Sequence, residues 1–221
     1  MAICISPEGS RRPIKARSLP VFQKIAMLLL RIGISPNQVS VSSMAFALIA
    51  GGALAYTSLS GGFDRAALFI CAAFAIQLRL ICNLLDGLMA VEGGFSTKVG
   101  AVLNEMPDRL SDFVILLGAG YAANTGILGI ELGWAASLIA MGTAYVRVFG
   151  GSLGLKQDFR GPLAKQQRMF AITCACVLSL FSSSINWSQN IFSVTLVVIC
   201  LGGLLTCVRR LVKILDELSQ A

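Results

Sequence analysis

Two short runs of acids and amides interrupt a chain that is otherwise apolar. The first reads Asn83-Leu-Leu-Asp86-Gly87-Leu-Met-Ala90; the second reads Gly100-Ala-Val-Leu-Asn104-Glu105-Met-Pro-Asp108-Arg109-Leu-Ser111-Asp112. A charge placed in hydrocarbon costs at least about 2.5 to 3.5 kcal/mol, so several at helical spacing mark a built site. On one helix Asn83, Asp86, Gly87 and Ala90 fall within an arc of about 100°. Asn83 and Asp86 then aim two oxygen ligands at one point, while Gly87 and Ala90 leave room for a bulky partner such as a nucleotide. On the next helix Gly100, Asn104, Asp108 and Asp112 step four apart and trace a second stripe. Carboxylate plus amide carbonyl suits Mg²⁺, Ca²⁺ or Mn²⁺ rather than zinc or copper. Mg²⁺ needs only one or two protein carboxylates when substrate phosphates complete its shell, so the small number of acids is tolerable.

Composition says where such a site must sit. Of 221 residues, 56% are hydrophobic and only 13% charged, against roughly 25% charged in soluble domains; mean hydropathy is +0.78. This is the composition of an all-α polytopic membrane protein. There is no histidine, which excludes Ser-His-Asp and Cys-His catalysis, histidine metal sites and histidine proton relays together. The seven cysteines lie mostly in apolar runs and show no zinc spacing. The net charge of +7 does not point to nucleic acid, because the basic residues lie between apolar spans rather than along one face.

Six stretches meet the requirement of about 20 mainly apolar residues for a span: 39–59, 67–90, 100–123, 127–149, 168–184 and 190–208, the fifth being short. Ahead of them, 21–32 has apolar positions at helical spacing broken by Gln23, Lys24 and Arg31, which predicts an amphipathic helix in the interface. Residues 1–20 are polar and basic, without the apolar core of a cleavable signal. The expected organisation is therefore a basic N-terminal segment with an interfacial helix over 1–37, then a six-helix transmembrane domain over 38–221. Fourteen of the 18 basic residues fall on one side of these spans and only Arg65 on the other. The positive-inside rule then places both termini in the cytoplasm. The link between the second and third spans is short, which predicts antiparallel neighbours whose polar stripes face each other near the cytoplasmic end.

The spacing Asn83-x2-Asp86-Gly87-x2-Ala90-Val91 … Gly100-x3-Asn104-x3-Asp108 resembles the signature of the CDP-alcohol phosphotransferase family, D-x2-D-G-x2-A-R … G-x3-D-x3-D. Ser35-Pro36-Asn37-Gln38-Val39 is similar to the segment that precedes the first span in that family. The chain departs from the signature in having Asn83 and Asn104 at its first and third aspartates and Val91 at its arginine. Asparagine still offers a carbonyl oxygen to a metal but lowers the charge of the site.

The resemblance implies a phosphatidyltransferase of phospholipid biosynthesis. CDP-diacylglycerol would bind with its pyrophosphate on one or two Mg²⁺ or Mn²⁺ ions, a small alcohol would attack, and CMP would leave. By the same resemblance Asp108 is the catalytic base. Asp86 is the firmest metal ligand, supported by Asn83, Asn104 and Asp108, while Gly87, Ala90 and Gly100 shape the cytidine pocket. Lys165, Arg168 and Arg147 are candidates for holding an anionic acceptor or lipid phosphate, with ordinary positive-inside charge as their alternative. Glu105, Asp112 and Arg79 are supporting candidates. Helix rise puts Arg79 and Asp112 at similar depth, so an Arg79–Asp112 ion pair is the structural reading and direct ligation by Asp112 its alternative. The resemblance also implies a homodimer in a bacterial inner (cytoplasmic) membrane. Two alternatives stay open: a non-catalytic relative that binds CDP-lipid, and a cation-coupled transporter. A transporter requires acids at mid-membrane and broken helices in matching halves.

Overall fold

The computed structural model describes residues 19–60, 62–92, 98–123, 128–181 and 184–220, with side chains at all of these except 62, 91–92, 98–101, 103 and 104. The described residues form seven helices and no strand: α1 (Pro20–Arg31), α2 (Pro36–Tyr56), α3 (Gly62–Glu92), α4 (Lys98–Ala122), α5 (Gly129–Ser152), α6 (Lys165–Leu180) and α7 (Ile185–Ser219). The basic residues before Leu19 lie outside the described part.

Local chemistry explains the start of α2. Ser35 caps it, its hydroxyl accepting from the Gln38 N–H at 3.3 Å while the Gln38 side chain accepts from the Ser35 N–H at 2.8 Å. Pro36, which has no N–H to lose, occupies the first turn. This reciprocal cap fixes where α2 begins and therefore the depth of Ser40, one turn further on.

Helices α2 to α7 close into a ring in the order α3–α2–α4–α5–α7–α6, with α6 returning to α3 and α1 lying against α3. The expected pairing of α3 with α4 is corrected by this order. α2 packs along both, and the α3 and α4 backbones approach each other only slightly. Their polar residues meet across the interior instead, by the reach of long side chains. Close helix crossings make the ring possible. A methyl on Gly51 of α2 would lie 2.6 Å from the Val114 carbonyl oxygen of α4, and one on Gly120 of α4 would lie 2.7 Å from the Gly133 α-carbon of α5.

Alanines and branched residues from α2 to α7 fill the main core, including Ala47, Leu54, Phe69, Ile76, Ile115 and Phe192. A smaller cluster joins Ala26 of α1 to Val39, Leu84, Leu85, Leu88 and Met89, so α1 covers the end of α3 that carries Asp86. Outside the ring, large apolar side chains such as Leu48, Phe74, Phe170 and Leu201 are exposed. Four helices are long and apolar enough to cross a membrane: Pro36–Tyr56, Phe63–Ala90, Gly129–Ser152 and Ile185–Ser219. The chain is an integral membrane protein. Of the other expected spans, α6 has only 16 residues and α4 carries Glu105, Asp108, Arg109 and Asp112 along its length. α7 runs 35 residues, well past the 190–208 expected from hydropathy, because Arg209 to Glu217 continue the helix on polar side chains.

Candidate active site

Three carboxylates from α3 and α4 sit inside the ring in different electrostatic circumstances. Asp86 is 1% exposed. One oxygen, Oδ2, accepts from the Ser40 hydroxyl of α2 at 2.6 Å, and the other, Oδ1, is buried and has no hydrogen-bond partner among the described residues. The backbone N–H of Gly87 is near the carboxylate but makes no hydrogen bond to Oδ1. A buried ionised carboxylate missing a partner is costly. Arg79 Nε and Nη1 and Arg168 Nε are also without partners among the described residues, but Asp86 Oδ1 is the one carboxylate oxygen so placed, which gives it the character of a ligand position.

Asp108 is held on both oxygens. Oδ1 accepts from Asn83 Nδ2 at 2.6 Å and from Arg79 Nη2 at 3.4 Å, while Oδ2 is ion-paired with Lys165 at the start of α6. Arg79 Nη2 also donates to the Asp108 backbone carbonyl at 3.1 Å. Pro107 immediately precedes Asp108 inside α4. Lacking an N–H, it frees the carbonyl one turn earlier and relaxes the helix at this point.

Asp112, 2% exposed, accepts from Arg79 at 2.7 Å on Oδ1 and from Arg168 at 3.1 Å on Oδ2. The ion pair expected from matching depth is therefore present, and Arg168 adds a second partner. Arg168 continues to the Thr143 hydroxyl of α5 and the Leu163 carbonyl, each at 3.1 Å. One carboxylate thus ties α3, α4, α5 and α6 together out of water. Arg168, expected at the mouth of its span, is 1% exposed, and its two terminal nitrogens donate to protein groups, while Nε has no partner among the described residues.

Glu105 lies at the edge of this interior, ion-paired with Arg109 one turn on and with Arg147 of α5. Arg109 therefore pairs with Glu105 rather than with the signature aspartates. Arg147 also donates to Gln157 Oε1 at 2.9 Å and lies over the Phe159 ring, 4.9 Å from its centroid. Beside it lies a shallow recess, partly open to solvent, where Arg147, Lys156, Arg210 and Lys213 face Asp158 and Glu217. Arg210 anchors the recess through the Thr143 carbonyl at 2.6 Å and the Arg160 carbonyl at 3.2 Å. Burial works to raise the Asp158 pKa, but the Arg160 N–H and guanidinium and the Lys213 ammonium outweigh it and hold the carboxyl at about 2.

Asn83, Asp86, Asp108, Asp112, Arg79, Lys165 and Arg168 therefore gather in one interior, with Glu105 and Arg147 on its flank. Gly87 and Ala90 lie on the same helix at half-buried positions. Gly100 and Asn104 belong to α4, but their surroundings, like those of Val91, lie outside the described residues. Sequence reasoning passed over Ser40, Thr143, Gln157 and Arg210. Ser40 carried a weak signal, a polar residue one turn into an apolar helix behind a strong cap; Arg210 read as an ordinary tail charge. The described residues contain no cluster of three Asp, Glu or Cys able to hold a metal by themselves. A divalent ion here would be held by Asp86 and amide oxygens and would rely on substrate phosphates for the rest. The buried, partnerless Asp86 Oδ1 fits that role.

No protein-family model matches the chain. It is similar to a phosphatidylinositol phosphate synthase of Streptomyces avermitilis, 26% identical over 207 residues that cover 91% of this chain and 80% of that protein. Its fold is similar to that of Mycobacterium tuberculosis phosphatidylinositol phosphate synthase with CDP-DAG bound, with a TM-score of 0.71 at 24% identity over 89% of this chain and 94% of that one. The same enzyme in complex with manganese and citrate gives 0.70 at 24% identity over 87% and 88%. With the signature spacing kept and asparagine at two of its aspartate positions, the chain resembles the CDP-alcohol phosphotransferase family and is similar in sequence to the Streptomyces protein.

Proposed function

We propose that the protein transfers the phosphatidyl group of CDP-diacylglycerol to a small alcohol, releasing CMP, and depends on Mg²⁺ or Mn²⁺. The observation that carries this reading is the buried Asp86 carboxylate, one oxygen lacking a partner among the described residues, within electrostatic reach of Asp108 and Lys165. The name of the Streptomyces relative supports the reaction class, and the CDP-DAG and manganese complexes of the mycobacterial enzyme support the donor and the metal.

In this reaction the alcohol oxygen forms a bond to the phosphorus that bears the diacylglycerol. The bond from that phosphorus to the CMP oxygen breaks, and CMP leaves with the electron pair. Asp108 accepts the hydroxyl proton on a carboxylate oxygen; Arg79 and Asn83 hold that carboxylate in place. Asp86, with Asn83 and Asn104 in support, would hold the divalent ion, which when bound neutralises charge on the pyrophosphate. Gly87, Ala90 and Gly100 leave space for the cytidine. Lys165 offers its ammonium to phosphate oxygens at the same mouth. Arg168 and Asp112 act by positioning, since their charges are spent on each other and on Arg79 and Thr143.

The acceptor lies in the recess beside Arg147. Its excess of guanidinium and ammonium groups suits an alcohol that carries negative charge, which agrees with the Streptomyces relative's name. α4 and α6 complete a set of six transmembrane helices, sheltered from lipid where they are polar, and α1 lies in the interface. Both termini face the cytoplasm of a bacterial inner membrane, and the working form carried over from the family is a homodimer. Purified protein given CDP-diacylglycerol, Mg²⁺ or Mn²⁺ and a panel of neutral and phosphorylated alcohols is expected to release CMP, most with a phosphorylated acceptor. Binding of CDP-diacylglycerol without CMP release under every condition would replace this reading with that of a non-catalytic relative.

A further inference from the structure

We propose that the site holds a single divalent cation, on Asp86, and that the Lys165 ammonium takes the place of a second one on Asp108. This rests on the metal-dependent reading above and specifies its metal content. Asn83 Nδ2 donates to Asp108 Oδ1 at 2.6 Å. A carboxylate at position 83 in this geometry would set two anions in contact, an arrangement that needs a cation or a shared proton between them. The amide removes that need by supplying a hydrogen instead. The other Asp108 oxygen is occupied as well, by Lys165. Asp108 is thus neutralised and hydrogen-bonded by the chain itself.

The charge balance of the interior agrees. Arg79, Arg168 and Lys165 face Asp86, Asp108 and Asp112, three positive charges against three negative. Asp112 is bound by both arginines and Asp108 by Arg79 and Lys165, which leaves Asp86 Oδ1 as the carboxylate oxygen of the three without a partner among the described residues. One divalent ion at Asp86, its charge offset by the incoming pyrophosphate, is accommodated. A second, set among the buried Arg79 and Arg168 guanidiniums and the partly exposed Lys165 ammonium, is opposed by Coulomb repulsion.

The test counts bound Mn²⁺ per chain by electron paramagnetic resonance on the purified protein in detergent, with CDP-diacylglycerol in the same micelles. The expected result is one Mn²⁺ per wild-type chain with an uncoupled spectrum, none in Asp86→Asn, and one in Lys165→Arg. Lys165→Met exposes Asp108 and is expected to raise the count to two with spin coupling between the ions. Asn83→Asp restores the missing carboxylate and is expected to do the same, so the inference stays testable if Lys165→Met does not fold. Two coupled ions in the wild type, no bound Mn²⁺, or binding unchanged in Asp86→Asn overturns it. CMP release on the same samples separates the two readings. Turnover with two ions sinks the single-cation inference and keeps the enzyme; one bound ion with no turnover does the reverse.

Discussion

Asp86 and Asp112 are both carboxylates buried in the same helical ring, and they are treated in opposite ways. Asp112 receives a guanidinium on each oxygen, from Arg79 at 2.7 Å and Arg168 at 3.1 Å. Asp86 receives one serine hydroxyl, and its other oxygen has no partner among the described residues. A fold selected only for stability would satisfy both or neutralise both, since a half-satisfied buried charge is worse than none. The asymmetry separates a region that holds the helices together from a region kept ready for something the chain does not contain. Asp108 stands between them, bound to the clamp through Arg79 and to the mouth of the site through Lys165.

The sharpest way to break this contrast is to remove the clamp. Asp112→Asn leaves Arg79 and Arg168 without their shared counter-charge, and the expected loss is about 3–5 kcal/mol, the cost of breaking a buried ion pair from one side. Thermal melting and size-exclusion recovery in detergent would report it, and an unchanged melting temperature would mean that Asp112 does not hold the helices together. Asp108→Asn probes the junction. It takes away the proposed proton acceptor, so CMP release is expected to fall by about 10² to 10⁴-fold, the range for loss of a general base. The melting temperature should move less than with Asp112→Asn, because Asp108 is partly exposed.

On the flank, Arg147→Ala removes a guanidinium from the recess and from Glu105. A hydrogen bond to a charged group contributes about 1.5–3 kcal/mol. The expected result is at least a tenfold rise in KM for an anionic alcohol, with KM for CDP-diacylglycerol unmoved; equal effects on both substrates would place Arg147 elsewhere in the reaction. The smallest effect belongs to Asp158, which fastens the 153–164 loop to Lys213 of α7 at 3.1 Å. Its folded-state pKa lies below the unfolded value, so its stabilisation is complete above about pH 4 and is lost as pH falls through about 2. Asp158→Asn should cost no more than about 1 kcal/mol at neutral pH, and the melting curves of variant and wild type should converge towards pH 2.

The same contrast explains how far the sequence could be read. Helical spacing put Asn83, Asp86 and Gly87 on one face and Asp108 and Asp112 on another, and helix rise alone matched Arg79 to Asp112. These are properties of a single helix or of a pair at equal depth. Spacing could not say that α2 would insert between α3 and α4, because the order around a ring depends on which small residues permit close crossing, Gly51 and Gly120 among them. Nor could it separate Arg168 from Lys165. Both begin α6 three residues apart, yet one faces inward to Asp112 and Thr143 while the other reaches Asp108 at the mouth. Arg210 and Ser40 escaped for a related reason. Each looks ordinary on its own helix and acquires its role from a carbonyl or a carboxylate on another.

On the proposed function, the incompletely satisfied carboxylate serves chemistry and the fully paired one serves the fold. The most direct measurement takes CMP release and melting temperature on one preparation each of wild type, Asp86→Asn and Asp112→Asn. Asp86→Asn is expected to abolish CMP release while its melting temperature holds or rises, since an amide replaces a buried charge whose Oδ1 has no partner among the described residues and still accepts from Ser40. Asp112→Asn is predicted to lower the melting temperature. An Asp86→Asn protein that melts early, or that turns over like the wild type, would contradict this division of roles.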